Sequence, residues 1–341
     1  MVLSRRAFVR GSVGLLSTGA LQTRSTAGPV VVFHDPGTLA HEPSADHPES
    51  PKRMAAIMPV VADLERLGRV SIGSTRAAHD DDLLLVHSSS YLATVKKEIA
   101  ERRRMLSTGD TELSAGSMRA AVAASGAVQA AVDAVMRGPV RRAFCAIRPP
   151  GHHASRDRGM GFCLFNNVAI GVRHAQRTHG VERVLVADWD VHHGNGTQAV
   201  FEADGSVLFF DTHQHPWYPG TGLRDEVGTG RGRGLVMNRP FAAGSGRAQI
   251  VTAFREELVP AAERFRPQLV FISAGFDSRA GDPLGLFTLQ DQDFADLTRI
   301  VVDVARQHAG GRVVSVLEGG YALDGLAQAV RAHLTALGSS S

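Results

Sequence analysis

The stretch that decides the fold is Val184-Leu-Val-Ala-Asp-Trp-Asp-Val-His-His-Gly-Asn195. It begins with a continuous apolar run, which predicts a strand over 183–187 that is buried on both faces of a sheet. Aspartate and histidine side chains follow this strand directly. A buried strand that ends in such residues indicates a parallel sheet whose functional groups lie beyond the carboxyl ends of its strands.

The chain on either side of this stretch alternates between strand and helix patterns. Short apolar runs predict further strands at 30–33, 142–147, 207–211, 269–273 and 313–317. Helical spacing of apolar residues predicts helices at 117–137, 167–179, 247–264, 291–308 and 324–337. Such alternation indicates an α/β fold with helices on both faces of a parallel sheet. No break in composition marks a second domain, so we expect one domain over residues 28–341.

The composition is that of an ordinary globular protein. The 341 residues are 43% hydrophobic and 21% charged, which excludes a disordered chain. The sequence contains no recurring block of 20 to 50 residues, which argues against a repeat array. The only two cysteines, Cys145 and Cys163, exclude a disulfide scaffold and a four-thiolate zinc site.

Residues 1–27 are predicted to be a targeting segment. Arg5-Arg6 precedes a weakly apolar run from Val13 to Leu21. The small residues Ser25-Thr-Ala27 then form a candidate cleavage site. This order resembles the twin-arginine signal peptide of bacteria and predicts a periplasmic or secreted protein. The apolar run is too short for a membrane span. The alternative is a disordered N-terminus with two adjacent arginines that have no targeting role.

The net charge of +3 is a property of this leader. The leader holds four arginines and no acidic residue, which leaves 33 basic and 34 acidic side chains in residues 28–341. The remainder therefore has no basic excess of the kind that binds nucleic acid, and we expect no nucleic-acid partner.

Polar residues follow four of the predicted strands. Because the carboxyl ends of parallel strands meet at one edge of a sheet, we expect these segments to form one site. The four segments are Arg148–His153, Asp188–His193, Gly275–Asp277 and Glu318–Tyr321.

The spacing of Asp188, Asp190 and His192 indicates a metal site. In extended backbone, residues two apart point to the same side, so Asp190 and His192 could bind one ion together with Asp277. One imidazole and two carboxylates leave coordination positions open for water and substrate, which is typical of a catalytic metal site. The alternative is that each of these residues only caps the end of its strand. Polar residues at four strand ends together make this alternative less convincing than a shared site.

Six motifs in the same order resemble the zinc-dependent histone deacetylase family. The similarity is greatest to its class II and bacterial deacetylase-like amidohydrolase branch. It implies the arginase/deacetylase α/β fold, with a mostly parallel eight-stranded central sheet flanked by helices, and one Zn²⁺ per chain at the base of a narrow tunnel. The motifs are Arg148-Pro-Pro-Gly-His-His153, Gly161-Phe-Cys163, Asp188–Gln198, Pro219-Gly-Thr-Gly222, Gly275-Phe-Asp277 and Glu318-Gly-Gly-Tyr321.

The resemblance also implies roles for individual residues. The zinc ligands would be Asp190, His192 and Asp277. The catalytic residues would be the tandem histidines His152 and His153, their partners Asp188 and Asn195, and the hydrogen-bond donor Tyr321. The substrate would lie against Gly161, Phe162 and Tyr218, with Asp110 at the rim. A structural potassium ion would lie at Asp188, Asp190, His192, Asp211 and Thr212.

These features predict a hydrolase that removes acetyl or short acyl groups from acetyl-lysine or a related N-acetylated amine, through a metal-activated water. The alternatives are an acetylpolyamine amidohydrolase, an arginase-like ureohydrolase with two manganese ions, and an inactive acyl-lysine binding module. Gly194 and Arg279 stand where a second metal would need carboxylates, which disfavours the manganese enzyme. The substrate would be a small molecule or a peptide, and the sequence does not indicate an oligomeric state.

Overall fold

The computed structural model describes Met1 and residues 30–339, so residues 2–27 of the predicted leader lie outside the described residues. Eight strands form one sheet in the order β2-β1-β3-β8-β7-β4-β5-β6, and every pairing is parallel. The strands are β1 (Val30–Phe33), β2 (Val70–Gly73), β3 (Arg142–Cys145), β4 (Val184–Asp188), β5 (Val207–Gln214), β6 (Val236–Phe241), β7 (Leu269–Ala274) and β8 (Val313–Leu317).

Helices cover both faces of the sheet. The face with α1, α7, α8, α9 and α10 holds one hydrophobic cluster, and the face with α3, α4 and α5 holds the other. The helices are α1 (Lys52–Arg66), α2 (Asp80–Leu83), α3 (Ser89–Ala100), α4 (Ser117–Arg137), α5 (Asn167–His179), α6 (Asn195–Phe201), α7 (Arg247–Ala253), α8 (Val259–Phe265), α9 (Asp291–His308) and α10 (Leu323–Gly338). None of the helices among the described residues is both long enough and apolar enough to span a membrane.

The central strands are buried along their whole length. All residues of β3, β4, β7 and β8 are buried, because helices cover these strands on both sides. These four strands are also neighbours in the sheet. The segments that follow them therefore lie side by side at one edge, as the sequence predicts.

The structure confirms the single α/β domain and adds helices α1, α2, α3 and α6, which periodicity does not predict. It differs from the prediction in three further points. The predicted helix 247–264 is a continuous helical segment, but Phe254–Leu258 form a π-helical turn between α7 and α8. Two edge strands, β2 and β6, join the six strands that periodicity predicts. The sheet is parallel at every pairing, where the resemblance implied a mostly parallel sheet.

Candidate active site

Asp190, His192 and Asp277 converge on one point. Asp190 and His192 follow β4, and Asp277 follows the adjacent strand β7. His192 Nδ1 lies 3.0 Å from Asp190 Oδ1 and 3.3 Å from Asp277 Oδ2. One potential ligand atom from each residue falls within 4.8 Å of the others. The structure thus brings the three predicted metal ligands together.

The surroundings of this triad fit a metal ion. Asp277 Oδ2 is buried and has no hydrogen-bond partner among the described residues, so it keeps a lone pair for a cation. Backbone N–H groups of Val191, His192 and Gly319 hold the other carboxylate oxygens, at 2.8–2.9 Å. Gly319 must be a glycine, because a Cβ there would collide with the Asp277 carboxylate. The donor set and its rigid support suit Zn²⁺, which accepts imidazole and carboxylate ligands.

The charges in the triad also favour a cation. Burial and the adjacent charge of Asp190 raise the pKa of Asp277 to about 7. Burial lowers the pKa of His192, but the adjacent carboxylates of Asp190 and Asp277 outweigh burial and raise it to about 10. Two crowded carboxylates against one imidazole leave an excess of negative charge, which a divalent ion would neutralise.

His152 is held between carboxylates. It follows β3, is 2% exposed, and its Nδ1 lies 3.1 Å from Asp188 Oδ2. Its Nε2 lies 3.8 Å from Asp190 Oδ1. Burial disfavours the charged ring, but Asp190 and Asp188 outweigh it and hold the pKa of His152 well above its usual range. His152 is therefore suited to carry a positive charge.

His153 has a different environment, although it is the next residue. Its Nδ1 lies 2.7 Å from the amide oxygen of Asn195, the first residue of α6. Burial lowers the pKa of His153 well below its usual range, and the nearby His152 and His192 lower it further. A neutral partner and cationic neighbours thus keep the ring uncharged, and an uncharged imidazole can accept a proton.

Tyr321 is positioned by a loop after β8. Asp282 Oδ2 accepts hydrogen bonds from the backbone N–H groups of Tyr321 and Ala322, at 2.7 and 3.0 Å. The Tyr321 ring lies 5.0 Å from the Arg53 guanidinium and 5.9 Å from the Phe162 ring. These contacts fix the ring at the wall of the cavity that the tandem histidines also line.

A cavity of about 280 Å³ leads to the triad. Asp110 lies at its rim, where Asp110 Oδ1 accepts hydrogen bonds from Gly161 N (2.7 Å) and Tyr218 Oη (3.2 Å). The Tyr218 ring stands perpendicular to that of His153 at 5.3 Å. The structure thus brings all four predicted substrate-contacting residues together. The lining residues are Asp110, Pro150, His152, His153, Gly161, Phe162, His192, Trp217, Tyr218, Pro283, Leu284 and Tyr321.

Periodicity and motif spacing do not indicate that Pro283 and Leu284 belong to the wall. Pro283 and Leu284 lie in the loop after Asp277, and Trp217 Nε1 donates a hydrogen bond of 2.9 Å to Leu284 O. Asp282 in the same loop holds Tyr321. The segment Gly281-Asp-Pro-Leu284 begins four residues after Asp277, and this closeness to a motif residue is the one sign in the sequence that it lies near the site.

A buried ion-pair network supports the site from below. Arg148 binds Glu49 in a bidentate pair at 2.7 and 2.8 Å, and all three of Glu49, Arg53 and Arg148 are 0% exposed. Arg53 donates to the carbonyl oxygens of Glu318 and Gly320, on either side of the glycine that contacts the triad. The network therefore fixes the backbone that leads to Tyr321.

The residues implied for potassium also lie close together. Asp188 and Asp211 are paired in the β4–β5 register, and Thr212 Oγ1 lies 3.5 Å from Asp188 O. Asp211 Oδ2 accepts a hydrogen bond from Gly194 N at 2.8 Å, and Oδ1 lies 2.7 Å from His213 Nδ1. A potassium ion at this point stays a prediction.

Comparison with known proteins identifies similar chains. The family model of the histone deacetylase domain matches residues 47–337. A histone deacetylase-like amidohydrolase of Pseudomonas aeruginosa is 40% identical over 304 residues, which cover 86% of this chain and 78% of that protein. A probable deacetylase of Archaeoglobus fulgidus is 39% identical over 298 residues, which cover 86% of this chain and 82% of the relative.

Two further matches concern substrate and fold. The human polyamine deacetylase HDAC10 is 39% identical over 318 residues, which cover 89% of this chain but 47% of that protein. The crystal structure of the HDA15 HD domain superposes with a TM-score of 0.86 at 36% identity. That superposition covers 92% of this chain and 90% of the solved one. The sequence and the fold thus point to the same family.

Proposed function

Because this chain belongs to the histone deacetylase family, we propose that it is a zinc-dependent deacetylase that hydrolyses acetyl-lysine or a related N-acetylated amine. The observation that carries the proposal is the arrangement of the cavity floor. His192 of the metal triad, the neutral His153 and the Tyr321 ring all line one cavity at the ends of neighbouring strands.

Amide hydrolysis requires an activated water, a polarised carbonyl and a proton for the leaving amine. A Zn²⁺ ion held by Asp190, His192 and Asp277 would lower the pKa of a water and act as a Lewis acid. His153 would accept the water proton at Nε2, because Nδ1 donates its proton to Asn195. The same ring would then give the proton to the leaving amine. His152, paired with Asp188, would act mainly through its charge.

Tyr321 would stabilise the negative charge that develops on the carbonyl oxygen. Burial raises the pKa of its phenol, even though the Arg53 charge opposes the shift, so the hydroxyl keeps its proton. A protonated hydroxyl can donate a hydrogen bond to an oxyanion. The presence of this donor, with a complete triad, argues against an inactive acyl-lysine binding module.

The walls suit an alkyl chain that carries the acetyl group. Phe162 and Tyr218 present aromatic surface, and Asp110 presents a carboxylate at the rim that can accept an N–H group of a peptide backbone. The mouth beside Leu284 and Trp217 is apolar. A polyamine would bring a cationic tail to this mouth, where Asp110 is the single acidic side chain among the described residues of the lining. We therefore favour acetyl-lysine over acetylpolyamines.

The leader adds a proposal on location. If the twin-arginine-type segment exports the chain, its substrates are extracytoplasmic N-acetylated amines. Fusion of residues 1–27 to a reporter that functions only in the periplasm tests this point, and loss of export on Arg5→Lys with Arg6→Lys is the expected result.

The proposed reaction is tested by comparing N-acetylated substrates. The zinc-loaded protein should release acetate from a fluorogenic acetyl-lysine peptide faster than from acetylspermidine or acetylputrescine, and a hydroxamate should inhibit it. A higher kcat/KM for the acetylpolyamines would favour the alternative of an acetylpolyamine amidohydrolase. Binding of the peptide without acetate release would contradict the proposed hydrolase.

A further inference from the structure

A second group of possible metal ligands lies far from the active site. Asp133 is in α4, and His174 and His179 are in α5. One potential ligand atom from each falls within 4.8 Å of the others. Within residues 30–339, this group and the catalytic triad are the two sets of three or more such residues that come this close together.

The two imidazoles converge on a single oxygen. His174 Nε2 lies 2.8 Å and His179 Nε2 lies 2.7 Å from Asp133 Oδ1. The rings meet at an interplanar angle of 80°, so they approach this oxygen from different directions. Zinc bonds of about 2.0–2.2 Å place tetrahedral ligand atoms about 3.3 Å apart. An increase of roughly half an ångström in the two distances between Nε2 and Asp133 Oδ1 would thus make room for an ion between the three atoms.

The surroundings support a cation. His174 Nδ1 lies 3.3 Å from Thr178 Oγ1, which can accept its proton and leave Nε2 as the ligand. His179 is the last residue of α5, and Asp133 lies one turn before the end of α4. The carbonyl ends of two helices therefore meet here, and such ends favour positive charge. Arg137 contacts Asp133 only through Oδ2, at 4.0 Å.

The site is supported by buried rings yet open to solvent. The side chains of His174 and His179 are 5% and 7% exposed, whereas that of Asp133 is 32% exposed. The ordered imidazoles reduce the entropic cost of binding, and the exposed carboxylate gives an ion a path to the site and leaves room for water ligands.

We propose that Asp133, His174 and His179 form a second metal site that binds Zn²⁺ and links α4 to α5. Two imidazoles and one carboxylate are a ligand set that zinc accepts. The site lies at the opposite edge of the sheet from the active site, because α5 leads into the start of β4 and the catalytic residues follow its end. The bound ion connects two helices and takes no part in the hydrolysis.

The test is the zinc content of the metal-stripped full chain after it is incubated with Zn²⁺ and passed through gel filtration. We expect two zinc ions per chain in the wild type, one in His179→Asn, one in Asp277→Asn and none in the double variant. We expect Asp133→Asn to bind one zinc ion as well, and this variant replaces His179→Asn if His179→Asn does not fold. The control is His79→Asn, an exposed histidine outside both groups, which should retain two.

Each result separates the second site from the catalytic one. One zinc ion in the wild type that disappears in Asp277→Asn would overturn the proposal, as would two ions retained in both His179→Asn and Asp133→Asn. We also expect zinc to raise the melting temperature of Asp277→Asn but not that of the double variant, because an ion that binds only the folded state stabilises it. Deacetylation by His179→Asn should equal that of the wild type.

Discussion

His153 Nδ1 and Asn195 Oδ1 are joined by a hydrogen bond of 2.7 Å. The orientation of the Asn195 amide is supported by its other end, because Nδ2 donates a hydrogen bond of 3.5 Å to the sulfur of Met160. Because an amide oxygen can only accept, the ring must carry its proton on Nδ1. The Nε2 atom is then an acceptor, whereas His152 meets the Asp188 carboxylate at the same ring position. Two adjacent histidines thus have different protonation behaviour.

This difference predicts the effect of removing the proton acceptor. His153→Ala should lower kcat by about 100- to 10,000-fold, the usual contribution of general acid–base catalysis. The measurement is steady-state hydrolysis of an acetyl-lysine peptide by protein with verified zinc content. Near wild-type turnover by this variant would show that His153 is not the base.

The phenol of Tyr321 gives a second prediction. Tyr321→Phe keeps the ring beside Phe162 and Arg53 but removes the hydrogen-bond donor. Loss of one such donor costs about 100- to 1,000-fold in kcat, while KM should change little. An unchanged kcat, measured on the same peptide, would exclude Tyr321 from oxyanion stabilisation.

Glu49 should be essential for stability. Its carboxylate is fully buried between Arg148 and Arg53, and the Arg148 charge and hydrogen bonds overcome the effect of burial and lower the pKa of Glu49 to about 2. Glu49→Gln leaves two buried guanidinium groups without a counter-charge, and we expect a loss of about 3–5 kcal/mol in the free energy of unfolding. Urea unfolding measures this loss. The same substitution at the exposed Glu42 is the control, and equal stability of the two variants would refute the argument.

His333 should make stability depend on pH. Its ring is buried between Thr298 and Ser315, and burial lowers its pKa to about 3. Between pH 6.5 and 3 the unfolded chain binds a proton that the folded chain excludes, so stability falls as the pH falls through this range.

From pH 7 to pH 5 the contribution of this one ring is about 2 kcal/mol. His333→Gln should therefore lose about 2 kcal/mol less than the wild type over that interval. Urea unfolding at the two pH values gives the comparison, with His79→Gln as the exposed control. An identical pH dependence of wild type and His333→Gln would contradict the assignment.

Leu284 at the cavity mouth should influence substrate choice. Leu284→Glu adds a carboxylate beside Trp217, which should attract the cationic tail of a polyamine. We expect the ratio of kcat/KM for acetylspermidine to that for the acetyl-lysine peptide to rise about 2- to 5-fold, as for a solvent-exposed ion pair. Leu286→Glu, in the same loop but outside the lining, should leave this ratio unchanged. Equal effects of the two variants would rule out a role for Leu284.

The sequence predicts the centre of the sheet better than its edges. Strands such as β4 and β7 are continuous apolar runs because helices cover both faces, and their bounds agree with prediction within a residue or two. The edge strands β2 and β6 do not show this pattern. Ile72 in β2 is 46% exposed, and β6 contains Pro240, which is typical of an edge position. Short strands with one exposed side give a weak periodic signal.

The active site shows a similar division. Its ligands and tandem histidines lie directly after buried strands, so the sequence predicts that they meet. The Asp282–Leu284 loop and the buried position of Glu49 depend on how distant segments pack, which local spacing does not reveal. The contact of Glu49 with Arg148 joins residues 99 positions apart.

The central claim is that a zinc ion bound by Asp190, His192 and Asp277 is required for deacetylation. The most direct test is the rate of acetate release from an acetyl-lysine peptide by metal-stripped protein as Zn²⁺ is added back, in the His179→Asn background so that the catalytic site alone titrates. We predict no turnover without metal, full turnover at one zinc ion per chain, and no recovery when Asp277→Asn is added. Full turnover by the metal-stripped protein, or by the variant that lacks Asp277, would contradict the claim.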